Sequence, residues 1–141
     1  TVIGDTVNLA SRLESLTRNY GVALVLGPGT ARRVASQFVL LPLDRVRVKG
    51  RRTPEAVVTV LGGHDALPEE SAEWLRSYDE AMRREADGDF AAATAAFERL
   101  AAAAWDGEGS ATARAGARLH ADRCARLQAN PPADWDGTWR W

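Results

Sequence analysis

The sequence predicts an α+β fold. A helix, strand, helix, strand, strand order places helices on one face of a sheet, and an all-α helical hairpin plus a third helix follows. Three observations lead there. Residues 5–20 repeat their apolar positions at helical spacing, whereas later runs either alternate or are continuously apolar and rich in valine. Beyond Gly62 and Gly63 the β-branched residues almost vanish and alanine dominates. The charge divides at the same place: residues 1–62 carry nine Lys or Arg against four Asp or Glu, and residues 63–141 carry nine against fifteen.

In residues 5–20, Leu9, Leu13, Leu16 and Tyr20 form one stripe of an amphipathic helix, with Asp5 or Thr6 as its cap and Gly21 after its end. Asn8, Arg12, Ser15 and Asn19 line up on the opposite face. The run VALVL at 22–26, bounded by Gly21 and Gly27, reads as a buried strand, and a short helix is predicted over 28–36. Residues 38–50 end in alternation, with Val46 and Val48 on one side and Arg45, Arg47 and Lys49 on the other. After the turn-like GRRTP, residues 56–61 read as the antiparallel neighbour.

Residues 63–70 read as a linker that separates a first segment, 1–62, from a second, 71–141. Two helices broken at Gly88 and Asp89 make a hairpin; residues 110–129 make a third helix, stopped by Asn130, Pro131 and Pro132. The tail holds Trp135, Trp139 and Trp141, which are expected to clamp it onto the helices.

With 45% hydrophobic and 26% charged residues and a net charge of -1, the 141-residue chain is neither disordered nor collagen-like. No apolar run approaches the roughly 18 residues that would cross a bilayer, and no stretch reads as a signal peptide. The first residue is Thr1 and the only methionine is Met82, so the sequence reads as a piece of a longer protein. The single cysteine, Cys124, cannot form an internal disulfide and reads as a buried, inert thiol; a reducing, cytoplasmic setting follows. The surplus positive charge of the first segment is too small and scattered for a nucleic-acid partner, and suits a small phosphorylated ligand better.

Two groups of residues carry candidate chemistry. Asn8 and Arg12 lie on adjacent turns of one helix face, where an amide can orient a ribose and a guanidinium can neutralise a transferring phosphoryl group. A solvated helix face with an ordinary surface arginine is the alternative. Lys49 is the only lysine among eighteen basic residues, as a compact point charge for phosphate would require. Chance, or a charged residue guarding a strand edge, explains it equally. Asp5 reads as a helix cap and Asp44 as a scaffold residue preceding a strand; neither is taken as a metal ligand. His64 and His120 have no second ligand at metal spacing and receive no role.

TVIGDTVNLASRLE, followed about thirty-five residues later by LDRVRVKGRRTPEAVVTV, closely resembles the carboxy-terminal half of the catalytic domain of class III nucleotide cyclases, of the bacterial adenylate cyclase type. The resemblance covers residues 1–61 and implies half of a ferredoxin-like cyclase domain. It implies that Asn8 orients the ribose, that Arg12 stabilises the transition state at the α-phosphate, and that Lys49 holds the terminal phosphates. Thr1 falls at a purine-selecting position and favours adenine, although the first residue of the chain would also read as merely frayed; Arg51 reads either as a phosphate assistant or as an exposed turn arginine.

The implied substrate is ATP, cyclised to 3′,5′-cyclic AMP and pyrophosphate with two Mg²⁺ or Mn²⁺ ions. The metal aspartates and a first purine-selecting lysine are expected upstream of Thr1, and the fragment alone is expected to be inactive. The family forms its sites at a head-to-tail interface, so a homodimer is implied for the parent protein. Guanylate cyclase sits awkwardly with Thr1, and a non-catalytic, cyclase-like nucleotide-binding or protein-interaction module is the rival reading. Tyr78, Ala81, Gly88, Asp89, Phe90, Ala93 and Phe97 resemble one tetratricopeptide-like hairpin, open to use as a docking surface for a protein partner or as a plain helical cap. The tail is similar to those of cyclases with membrane-anchored sensors, which implies an anchor in the inner membrane outside this chain and no membrane contact within it.

Overall fold

The computed structural model describes the backbone of residues 2–47 and 52–140, with side chains from residue 9 onward within that range. Among these residues the fold is α+β, with five helices and one two-stranded antiparallel sheet, in the order α1 (Val2–Tyr20), α2 (Pro28–Val34), β1 (Phe38–Val46), β2 (Glu55–Gly63), α3 (Glu70–Ala86), α4 (Phe90–Ala102) and α5 (Ser110–Ala129).

Helix α1 ends where the sequence requires it to. Gly21 adopts φ 67°, its N–H donates to the Arg18 carbonyl and the N–H of Val22 to that of Thr17, closing the helix with paired backbone bonds. The expected strand at 22–26 is not formed. Val22 and Val25 both turn inward, a step of three that no pleated strand can make, while Leu24 is 48% exposed; only Leu26 pairs, exchanging hydrogen bonds of 2.8 and 3.0 Å with Val58 of β2. Pro28 then starts α2 at a position where its missing N–H costs nothing.

The β1–β2 pair follows the expected antiparallel pairing, with one bulge that matters. Pro42 faces Val58 and Asp44 faces Val57, so Leu43 has no partner across the ladder. Consecutive residues Leu43 and Asp44 are consequently both buried. Asp44 therefore lies within β1 and inside the molecule, where the sequence reading had placed it ahead of a strand.

Helices α3 and α4 meet at Gly88, φ 85°, whose neighbour Asp89 both donates its N–H to the Arg84 carbonyl and caps α4 by accepting from the Ala92 N–H. Buried Ala81 and Ala93 let the helices approach, and Tyr78 and Phe97 fill the space beside them with ring centroids 5.5 Å apart. The indoles of Trp74 and Trp105 are buried with their N–H groups satisfied, by the carbonyls of Leu100 and Glu108.

One apolar cluster runs through the whole fold, from Leu16 and Tyr20 of α1 through Leu41, Leu43 and Val57 of the sheet to Tyr78, Phe97 and Ala117 of the helices. Helix α5 reaches the sheet through small residues: a Cβ added at Gly116 would meet Leu41 at 3.0 Å. The tail does more than pack on helices. Trp139 pairs with β1, donating to the Arg45 carbonyl at 2.8 Å and accepting from the Arg47 N–H at 3.2 Å, while the Trp135 indole donates to the Glu85 carbonyl. Trp141 lies outside the described residues. None of the described helices is long and apolar enough to cross a membrane.

Candidate functional site

The amphipathic register of α1 decides where its polar residues stand. Leu16 and Tyr20 are buried and Leu9 and Leu13 pack partly against the core, so Arg12, Ser15 and Asn19 occupy the exposed face. Asn8 belongs to α1, one turn before Arg12, but its side chain lies outside the described residues, as do Thr1, Lys49 and Arg51. Of the residues proposed to contact a nucleotide, Arg12 alone is therefore placed with its side chain. A described hollow lies away from Arg12, between α3 and α4, lined by Ala92, Ala95 and Ala96 together with Glu73 and Glu80.

The connection from β1 to β2, which contains Lys49, is fastened at both ends. Arg47 donates to the Arg52 carbonyl at 3.1 Å and pairs with Asp136 of the tail at 3.3 Å. Both side chains of that ion pair remain about a third or more exposed, so the contact orients the hairpin end more than it stabilises the fold.

The most elaborate chemistry in the described residues is a buried polar junction that sequence reasoning missed. The Leu43 bulge turns the Asp44 carboxylate inward, where one oxygen, Oδ2, accepts from the Tyr20 hydroxyl at 2.7 Å and pairs with the Arg123 guanidinium at 2.8 Å. Burial pushes the Asp44 carboxyl above its usual range, against the pull of Arg123, His120 and the Tyr20 hydrogen bond. The guanidinium of Arg123 in turn lies 3.9 Å from the centre of the Trp139 ring, an attraction between cation and ring face in a desolvated setting.

Beside it, the backbone carbonyls at the bulge are met by helical side chains. Tyr78 donates its hydroxyl to the Pro42 carbonyl at 2.7 Å, and His120 Nε2 donates to that of Leu43 at 2.6 Å. His120 Nδ1 faces Glu85 Oε1 at 2.9 Å, and the Cys124 thiol donates to the same oxygen at 3.1 Å. Both imidazole nitrogens thus face acceptors. Burial pushes Glu85 upward, yet the hydrogen bond and charge of His120, the charge of Arg123 and the Cys124 thiol together hold it below its ordinary range.

His120, given no role by sequence reasoning, is therefore a fully buried tie between α3, α5 and β1. A signal for it exists in the sequence: Ala113, Gly116, Ala117, His120 and Cys124 repeat at helical spacing, so the small-residue stripe that packs α5 carries the imidazole inward. Cys124 is buried as expected, and its thiol pKa is pushed up by burial first and by Glu85 second, which removes it from nucleophilic chemistry. The described residues contain no cluster of three or more His, Cys, Asp or Glu able to hold a metal ion.

Two curated proteins show similarity to part of the chain. Adenylate cyclase 1 of Rhizobium meliloti (strain 1021) is 34% identical over 62 residues, which is 44% of this chain and 9% of that protein. An adenylate cyclase of Anabaena cylindrica is 43% identical over 54 residues, 36% of this chain and 11% of that protein. The chain thus spans about a tenth of the length of these relatives. The similarity points to a relationship with adenylate cyclases. No known family's sequence pattern matches the chain, and no solved structure matches it.

Proposed function

We propose that this chain supplies the substrate-contacting side of an adenylate cyclase catalytic domain, acting in a larger protein that converts ATP to 3′,5′-cyclic AMP and pyrophosphate. The observation that carries the reading is helix α1. Its leucine stripe is turned into the core, which leaves Arg12 on the exposed face, free to meet a ligand bound from outside the chain, in a sequence partly similar to two adenylate cyclases.

In this reading the ribose 3′-hydroxyl attacks the α-phosphorus in line, the bond to pyrophosphate breaks and the hydroxyl proton is lost. Charge grows on the equatorial oxygens and the leaving group as this happens. The Arg12 guanidinium neutralises it with donors fixed in a plane, an interaction stronger in the transition state than before it. Asn8, one turn away, holds the ribose so that its hydroxyl faces phosphorus. Lys49 meets the terminal phosphates from the β1–β2 connection, and Thr1 meets the purine.

The two divalent cations that the family resemblance implies find no holder among the described residues. Asp44, the buried carboxylate nearest in chemistry to a ligand, is already engaged by Arg123 and Tyr20. In this reading the ions belong to carboxylates outside this chain, and the second protomer of a homodimer completes each site. Residues 71–141 form a tetratricopeptide-like segment attached to the catalytic half.

Assays of the complete protein with ATP and with GTP in the presence of Mn²⁺ test the reading. It predicts cyclic AMP from ATP, well in excess of cyclic GMP from GTP. Nucleotide binding without either product would overturn it in favour of a cyclase-like binding module.

A further inference from the structure

The acceptor that joins three elements is a single atom. Asp44 Oδ2 receives the hydroxyl of Tyr20, the last residue of α1, and the guanidinium of Arg123 in α5, and all three residues are buried. Arg123 is covered by the Trp139 ring, which the tail holds in place through backbone pairing with β1. The far segment of the chain is therefore linked, through Asp44 of β1, to the last residue of the helix that carries Arg12.

We propose that Arg123 and Trp139, acting through the Asp44 carboxylate and the Tyr20 hydroxyl, are positioning residues for Arg12, so that the docking of residues 71–141 sets the tilt of α1 and with it the rate of the reaction. The inference rests on the cyclase reading above and adds a control element to it.

Geometry supplies the leverage. At about 1.5 Å of rise per residue, Arg12 stands roughly 12 Å along α1 from Tyr20. A tilt of about 5° about that end moves Arg12 by about 1 Å, a misplacement able to cost on the order of 100-fold in rate. Leu16 is buried close to Tyr20, but nearer Arg12 the stripe fixes such an angle poorly, because Leu9 and Leu13 are only partly buried and apolar contacts are not directional. A short hydrogen bond to a carboxylate that is itself held by a planar guanidinium is directional.

Tyr20→Phe in the complete protein is the cleanest perturbation, since the ring remains to fill its site and only the hydroxyl is lost. The expected result is a fall in kcat of about fivefold or more with KM changed less than about twofold. In an Arg12→Ala background the same change should cost less in kcat than in the parent, because one of the two groups that α1 positions, Arg12 beside Asn8, is gone. Trp139→Leu, which uncovers Arg123 from the tail side, should reproduce this pattern should Tyr20→Phe fail to fold. Gly107→Ala, strained at φ +112° but with open space around the added methyl, serves as the control for stability: measured well below its melting temperature, it should lower stability and leave kcat unchanged. Unchanged kcat in Tyr20→Phe and Trp139→Leu, or losses that multiply with that of Arg12→Ala, would overturn the positioning role while leaving the cyclase reading intact. Full activity in Arg12→Ala would overturn both.

Discussion

Replacing Arg123 with methionine keeps an apolar stem of similar length and removes the guanidinium, leaving Asp44 as a buried carboxylate with its cation gone. Arg123 and Asp44 are 3% and 6% exposed, so solvent cannot take over the lost charge. Removing one partner of such a pair costs about 3–5 kcal/mol, most of it the penalty of the charge left behind. Loss of the cation over Trp139 acts in the same direction by roughly 1 kcal/mol, although the two effects share one side chain and do not simply add. For a chain of this size the result is a fall in Tm on the order of 10–15 °C. Urea unfolding at neutral pH, followed by tryptophan fluorescence and by circular dichroism, measures the change directly. The double variant Asp44→Asn/Arg123→Met, which removes the charge but keeps an acceptor for the Tyr20 hydroxyl, should recover about half of the loss or more. A cost below about 1 kcal/mol in the single variant, the scale of a surface pair, would refute the claim that the junction is desolvated.

Two further predictions concern the same packing. Glu85 is held below its ordinary pKa of 4.5, so its contribution is complete above that value and is lost as pH falls through the lower folded value; Asp44, raised by burial, works the other way and regains stability in acid. Glu85→Gln should accordingly be less stable than the parent chain at pH 7, with the gap closing below about pH 4.5 in denaturant titrations. A gap independent of pH would mean that Glu85 is not ionised against His120. Gly109 adopts φ +81° with the Leu61 carbonyl oxygen 2.7 Å from where a Cβ would stand, whereas Gly107 at φ +112° has open space. Gly109→Ala should cost about 2 kcal/mol or more and Gly107→Ala about 1 kcal/mol, the difference reporting the close approach of α5 to β2; equal costs would contradict that approach.

Much of the fold was legible because its signals are periodic and local. The leucine stripe of α1, the alternation of β1, the glycine breaks at 21 and 88 and the alanine-rich helices each write their geometry into a few neighbouring residues. VALVL misled because a continuous apolar run does not reveal its period. Its inward residues are three apart, and the choice was made by Gly21 and by pairing at Leu26 alone. Asp44, Glu85, His120 and Arg123 were missed for a different reason. Each is a polar residue at an inward position of a periodic element, and ordinary reading assigns polar residues to solvent. Only the bulge at Leu43, which places Asp44 opposite α5 and offers carbonyls to Tyr78 and His120, makes their burial affordable, and a bulge in β1 depends on its register with β2. The set proposed to contact a nucleotide is read from a motif, from Asn8 and Arg12 on one helix to Lys49 in the hairpin; the structure adds the exposure of Arg12 and the fastening of the hairpin ends by Arg47.

In the proposed mechanism Arg12 neutralises charge that forms only as the phosphoryl group transfers. Steady-state kinetics of Arg12→Ala in the complete protein, with ATP varied at fixed Mn²⁺, measure it most directly. The account predicts a loss of about 2–4 kcal/mol in transition-state stabilisation, seen as a fall in kcat of roughly 30- to 1,000-fold with KM nearly unchanged. A large rise in KM at unchanged kcat would show that Arg12 merely binds the nucleotide, and would contradict the account.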